Sequence, residues 1–220
     1  MKILAIIPLR RNSKRIKNKN FIRVGGKRLF EYAMDEACKS KLINKIILAT
    51  DAKNIKISKN KKVNIFYRSK KSATEFASTE IVIEEVLKKY ICDLVVLIQA
   101  TNLFLNSTDL DQAIKKIIIQ KKDTSLLSVV SSKFFIWQSK INSEKIFSKN
   151  YNYKKRPRSQ DIKNKEYIEN GSFYIFDRKN FLKFKNRLHG KIIFYKMPKI
   201  SLIEIDDKDD LNIVRKLKLK

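Results

Sequence analysis

A dense run of positive charge and amide groups follows the first apolar segment of the chain. Residues 8–20 read PLRRNSKRIKNKN and carry Arg10, Arg11, Ser13, Lys14, Arg15, Lys17 and Lys19, interleaved with Asn12, Asn18 and Asn20. Guanidinium forks, ammonium groups and hydroxyl or amide donors at this density offer a polyphosphate both charge and directed hydrogen bonds. It is not a Walker loop, because no GxxxxGK followed by Ser or Thr is present, and GxGxxG is absent too. A basic loop that is merely solvated has the same composition, so both readings stay open on these residues alone. Near the other end of the chain, Glu204 and Asp206 stand two apart. In an extended segment both carboxylates point to one face, and their repulsion calls for a cation between them. A hard divalent metal suits such oxygen ligands. The alternative is a solvated strand end leading into a helix, with Asp207, Asp209 and Asp210 favoured at its N-terminus.

Alternating strands and helices must position these groups. The apolar run KILAIIP at 2–8 has the character of a strand buried on both faces. Further strands are predicted at 45–50, 63–67, 94–98 and 126–130, with sheet segments returning at 172–176 and 192–196. Helical stripes appear at 29–42, 79–90 and 109–120, and again at 207–219. Thr108 and Asp111 form a capping box for the third of these. This alternation predicts an α/β fold, doubly wound around a mostly parallel sheet. In such sheets ligands bind outside the carboxyl ends of the strands, where the basic loop begins. Residues 134–168 lose the periodicity and are too long for an ordinary loop. They read as an excursion from a single domain spanning 1–220, serving as a small lobe or a dimerisation arm. Trp137, Phe134 and Phe135 in it suit packing or an interface.

Composition bounds the function. The 220 residues include 50 Lys+Arg against 22 Asp+Glu, a formal net charge of +28, while 43% are hydrophobic. The chain is therefore not a disordered basic tail. Lysines are scattered along its whole length, as in a solvated surface, and no aromatic–basic RNA-recognition segment is present. A nucleic-acid partner is accordingly not expected. His189 is the one histidine, which excludes a multi-histidine metal site and makes a loop or substrate-rim position the expectation for it. Asp51, at the end of a predicted strand, reads as a supporting residue. Cys38 and Cys92 have neither disulfide-framework nor zinc spacing, and a reducing, cytoplasmic compartment is expected. The N-terminal apolar run is too short for an export signal, and no stretch approaches a membrane span.

The loop PLRRNSKRIKNKN resembles the signature IPARGGSKRIPGKN of the acylneuraminate cytidylyltransferases, which make CMP-activated sialic acids. The resemblance runs on in order through GGKRLFEYAMDEA, ILATDAKNI, ATEFASTEIVIEEVL, LVVLIQATN, RPRSQD, ENGSFYIF and MPKISLIEIDDKDDL. It implies a nucleotidyltransferase-like sheet, a homodimer joined through 134–168, and transfer of CMP from CTP to a nonulosonic sugar acid with release of pyrophosphate. By the same resemblance, Arg10, Ser13, Lys14, Lys19 and Asn20 hold the triphosphate. Arg68 and Ser78 lie near the cytidine, and Gln99, Arg158, Gln160, Asn170 and Gly171 face the acceptor. Glu204 and Asp206 hold Mg2+, so that Arg10, Lys14, Lys19 and Asp206 make up the catalytic set. The sequence departs from the family pattern at Arg11-Asn12, where the family has Gly-Gly. Glu204 stands where the family has Asp, and residues 99–105 lack two prolines and an arginine. Sialic acid, pseudaminic acid, legionaminic acid and Kdo therefore remain open as acceptors, as does a catalytically altered nucleotide-binding homologue.

Overall fold

Strand β1 (Ile3–Leu9) divides its side chains between two cores. Ile3, Ala5, Ile7 and Leu9 face one, Leu4 and Ile6 the other. Period-two alternation has this result when a strand is covered on both faces. The computed structural model describes every residue except 12, 14, 121–122, 162–165 and 219–220. After β1 come a small ribbon of β2 (Arg23–Val24) and β3 (Lys27–Arg28), then α1 (Leu29–Lys39), β4 (Lys45–Thr50) and β5 (Val63–Tyr67). The short α2 (Lys70–Ala73), α3 (Thr79–Lys89), β6 (Leu94–Ile98), α4 (Ser107–Ile118) and β7 (Thr124–Ser132) follow. The chain ends with the hairpin β8 (Trp137–Ser139) and β9 (Ile146–Ser148), then β10 (Glu166–Asp177), α5 (Arg178–Phe184), β11 (Lys191–Lys196) and α6 (Lys208–Lys218).

Seven strands make one sheet in the order β11-β7-β10-β6-β1-β4-β5. Strand β10 runs antiparallel to both neighbours, and the other pairings in this sheet are parallel. Helices α1 and α4 cover one face with Ala33, Met34, Ala37, Leu110, Ala113 and Ile114. The other face is covered by Val82, Ile83, Val86 and Leu87 of α3 and Phe181 of α5. Each such large apolar side chain contributes about 1.5–3 kcal/mol when fully buried. The sheet is thus doubly wound and mostly parallel, as the alternation predicts. A third, smaller core gathers Ile16, Val24, Leu29, Leu103, Ile205, Leu211 and Val214. It fastens the basic loop to the segment before α6, two stretches from opposite ends of the chain.

Several boundaries differ from expectation for local reasons. Helix α4 begins at Ser107, capped by Asn106, whose side chain accepts the Asp109 N–H at 2.9 Å. The expected cap at Thr108 lies inside the helix, and Asp111 instead accepts from Ser40 Oγ at 2.5 Å and the Lys41 N–H at 3.1 Å. Those bonds also explain why α1 stops at Lys39. Strand β10 starts at Glu166, because Glu166–Glu169 pair with Val129–Ser132 of β7. The sheet therefore reclaims the last residues assigned to the excursion. What projects from the sheet is the β8–β9 hairpin and its flanks. There Phe135 and Trp137 pack on Tyr151 at ring-centre distances of 4.4 and 6.0 Å, and Arg156 covers Phe135.

Candidate active site

The sheet opens where β1 and β6 part. Their pairing ends at Ile6 and Leu97, and Pro8 brings no N–H with which to extend a ladder. Beyond that point Gln99 turns to β10, donating its N–H to the Ser172 carbonyl at 3.0 Å. The chain leaves β1 toward β4 on one side and returns later to β6 on the other, so this crevice is a topological switch point. A cleft of about 380 Å³ lies there. Arg10, Ser13, Lys19, Asn20, Arg68, Gln99, Gly171, Glu204 and Asp206 all line it. Five segments far apart in sequence thus meet in one place.

The basic loop is held from several sides. The Arg11 N–H donates to Asp51 at 2.8 Å, and Asn20 Nδ2 donates to the Arg10 carbonyl at 3.0 Å. Arg10 Nη1 donates to the Glu75 carbonyl at 3.1 Å. Asp51 therefore fixes the loop rather than entering the cleft. Asn18 takes the left-handed conformation, with φ of 55°, before the turn Lys19–Phe21, a geometry that asparagine tolerates better than most residues. Ile16 is buried in the third core. Its apolar anchor turns Lys19 toward Asp206, and Lys19 Nζ donates to Asp206 Oδ1 at 3.0 Å. Lys14 lies outside the described residues. Beyond β5, the Arg68 guanidinium donates to the Ser72 carbonyl and keeps Nε without a partner among the described residues. Burial holds this guanidinium below its ordinary value, with Asp51 opposing the shift and Arg10 adding to it.

The acidic pair is electrostatically divided. Burial pushes the Glu204 carboxyl above its ordinary value and the Asp206 charge adds to the shift, with Lys19 offsetting part of it. Burial pushes Asp206 upward as well, but the hydrogen bond and charge of Lys19 and the charge of Arg15 outweigh it, so Asp206 lies below its ordinary value. Arg15 Nη1 sits 3.3 Å from Asp206 Oδ2. Among the described residues no group of three His, Cys, Asp or Glu side chains could hold a metal ion. An ion here would have two carboxylates and would need substrate oxygens and waters to complete its shell, which is how magnesium is ordinarily held.

Gly171 explains how Glu204 reaches the cleft. The β10–β7 register shifts between Glu169 and Tyr174, and Gly171 sits in that bulge with φ of +60°. A Cβ there would stand 2.5 Å from Glu204 Oε1. The bulge thus needs glycine twice, for its backbone and for the carboxylate beside it. Asn170 is buried and does not line this cleft; its Nδ2 donates to Ser201 Oγ at 2.8 Å. It lines a neighbouring cleft of about 460 Å³ that shares Glu204 and Asp206. Ser78 is exposed at the start of α3, between two lining residues, Ala77 and Thr79. Arg158 and Gln160 are exposed on the excursion and line neither cleft. His189 is buried in a loop at the opposite edge of the sheet, 3.2 Å from Asp123, and so does not lie on a substrate rim.

Three contributors have no counterpart in the sequence-based set. Tyr174 lines the cleft, donates its hydroxyl to Glu169, and lies under the Arg187 guanidinium at 4.9 Å. A tyrosine in an otherwise apolar buried strand is the signal that points to it, because its hydroxyl must find a partner. Thr101 lines the cleft beyond Gln99. Arg15 was one basic residue among many, and nothing in its spacing singles it out.

This geometry has relatives. The family described as Cytidylyltransferase matches residues 4–220. The N-acylneuraminate cytidylyltransferase of Escherichia coli O18:K1:H7 is 28% identical over 216 residues, 96% of this chain and 51% of that protein. The pseudaminic acid cytidylyltransferase of Campylobacter jejuni subsp. jejuni serotype O:2 is 30% identical over 229 residues, 98% of this chain and 95% of that protein. The chain thus spans about half the length of the first relative and nearly all of the second. Among solved structures, a CMP:2-keto-3-deoxy-manno-octonic acid synthetase complexed with CTP has a TM-score of 0.69 at 15% identity, covering 100% of this chain and 99% of that one. The 4-diphosphocytidyl-2C-methyl-D-erythritol synthase of Anaerococcus prevotii has a TM-score of 0.68 at 17% identity, covering 100% and 96%. At such identities these two structures speak to the fold alone. The family match along nearly the whole chain, with a relative at 30% identity over almost the same span, shows that the chain belongs to the cytidylyltransferase family.

Proposed function

We propose that this chain transfers CMP from CTP to a nonulosonic sugar acid. The observation that carries the reading is the shared lining of one switch-point cleft by Arg10, Lys19 and Arg68 with Glu204 and Asp206. In the reaction a hydroxyl oxygen of the acceptor attacks the α-phosphorus of CTP. The bond from that phosphorus to the bridging oxygen breaks, pyrophosphate leaves, and the hydroxyl proton passes to solvent. Such transfers depend on in-line positioning and charge neutralisation more than on a strong nucleophile. Arg10, Ser13, Lys14, Lys19 and Asn20 take the triphosphate, and Arg68 and Ser78 take the cytidine side. Gln99 and the bulge at Asn170-Gly171 face the acceptor, as in the family this chain resembles. Glu204 and Asp206 would hold Mg2+, which when bound neutralises phosphate charge and polarises phosphorus.

The active form we propose is a cytoplasmic homodimer. The excursion carries exposed Phe134, Trp137, Ile141, Ile146, Phe147 and Tyr153, apolar side chains that a second copy would cover. Arg158 and Gln160 lie on that same excursion, so a second copy is the route by which they reach an acceptor. Among the described residues no helix is long and apolar enough to cross a membrane.

The test is pyrophosphate release with CTP, magnesium and a panel of sialic, pseudaminic and legionaminic acids and Kdo, together with sedimentation of the protein. Turnover with one of these acids, CTP preferred over ATP, GTP and UTP, and a dimer in solution are expected. Equal binding of all four triphosphates would overturn the nucleotide assignment. CTP binding with no turnover on any acid would leave a nucleotide-binding homologue instead.

A further inference from the structure

Both oxygens of the Asp206 carboxylate are already engaged. Lys19 Nζ lies 3.0 Å from Oδ1 and Arg15 Nη1 lies 3.3 Å from Oδ2. A divalent cation approaching Asp206 would meet two positive charges already at the carboxylate and would compete with them for its lone pairs. Lys19 also lines the main cleft, and a side recess of about 230 Å³ joins Arg10, Ser13, Arg15 and Lys19 around Asp206. The cations that close the carboxylate are therefore within a side-chain rotation of the place where phosphates would lie. A nucleoside triphosphate carries several negative charges and accepts guanidinium forks well. Its several charges make it a stronger match for these two side chains than one carboxylate.

We propose that Arg15 and Lys19 are exchangeable counter-ions that compete with a divalent cation for Asp206 until a nucleoside triphosphate draws them away. Arg15 is then a positioning residue of the reaction: it acts through Asp206 rather than on the reacting atoms. Cation and nucleotide become coupled ligands, each raising the affinity of the other by the same factor. When pyrophosphate departs, the two side chains return to Asp206 and help to expel the ion. The inference rests on the proposed cytidylyltransferase reading and specifies how its two ligands are ordered.

The experiment measures Mn2+ binding by electron paramagnetic resonance in wild type, Arg15→Gln and Lys17→Gln. Each protein is measured without nucleotide and with CTP but no acceptor. Lys17 is an exposed cation of the same loop, so Lys17→Gln controls for a general loss of charge. Arg15→Gln should raise nucleotide-free Mn2+ affinity at least about fivefold, the lower end of ordinary coupling between sites. CTP should then enhance Mn2+ binding less in Arg15→Gln than in wild type. Adding Asp206→Asn to Arg15→Gln should abolish the gain. An Arg15→Gln protein with wild-type nucleotide-free affinity, or an equal rise in Lys17→Gln, would overturn the exchange. Calorimetric titration of wild type with CTP keeps the two ideas apart. If CTP fails to bind, the underlying reading falls; if it binds but Arg15→Gln changes nothing, only the exchange falls.

Discussion

Gly171→Ala separates a backbone effect from a site effect. Its Cβ would sit 2.5 Å from Glu204 Oε1 and 3.4 Å from Glu204 Cδ, on a backbone with φ of +60°. The left-handed conformation costs an alanine about 1–2 kcal/mol. For a chain of this size that lowers Tm by roughly 2–8 °C. The clash is different in kind, because the atom met is the far end of a flexible side chain. Glu204 swings aside at little cost to stability, but its carboxylate then leaves the cleft. Misplacing a group by about 1 Å can cost about 10²-fold in rate, so turnover should fall by that order. Glu204→Asp shortens the side chain and removes the clash. The double variant Gly171→Ala, Glu204→Asp should recover the turnover of Glu204→Asp alone while keeping the lowered Tm. Thermal unfolding and pyrophosphate release, with an acceptor that wild type uses, read the two effects separately. Wild-type Tm and turnover in Gly171→Ala would refute the reasoning. A double variant as slow as Gly171→Ala would place the defect in the backbone rather than in Glu204.

Asp206→Asn should lower turnover by at least about 10²-fold, since charge neutralisation by a metal is worth several kcal/mol. CTP affinity should hold or rise, because Lys19 and Arg15 lose a competing carboxylate; calorimetry with CTP checks this. Glu204→Gln should raise Tm at neutral pH while suppressing turnover, because burial and Asp206 hold the Glu204 pKa above its unfolded value. An ionised Glu204 with that shift disfavours folding. The advantage of Glu204→Gln should therefore shrink as pH falls through the folded pKa of Glu204 and be gone below its unfolded value, which melts at stepped pH would follow. Asp206 has the opposite sign: its pKa is depressed, so its contribution is present above the unfolded pKa and is lost as pH falls through the folded one. Asn102→Ala removes the 2.8 Å bond from Asn102 Nδ2 to the Ser201 carbonyl. It leaves that carbonyl with the longer 3.4 Å contact to Asn170 Nδ2 and takes the acceptor from the Phe104 N–H, which should together cost about 1–3 kcal/mol in urea unfolding.

Much of the architecture is legible in the chain because strands covered on both faces must be nearly continuous apolar runs. Residues 3–9, 45–50 and 94–98 carry that mark without ambiguity. The basic loop and the Glu204–Asp206 pair are legible for the same kind of reason: local charge density and a period of two are properties of short segments. Helix α4 shows where local reading fails. Asn106 and Thr108 are both competent caps, and the choice fell to Asn106 as Asp111 was drawn to Ser40, 71 residues away. Strand β10 shows it again. Its first residues look like part of an irregular excursion, and only their pairing with β7 makes them a strand.

The sequence by itself determined the layered α/β order, the basic loop at the end of the first strand and the paired carboxylates near the last helix. The tertiary structure decided which charges meet. Lys19 and Asp206 are 187 residues apart, and their contact depends on Ile16 and Ile205 sharing a small core. Asn102 and Asn170 both hold Ser201, and so position the segment that carries Glu204 and Asp206. Gly171 acquires its second constraint only when Glu204 arrives beside it. The physical reason is common to all three. Periodicity records which face of an element is buried, whereas electrostatic partnership depends on distances that packing sets between elements remote in the chain.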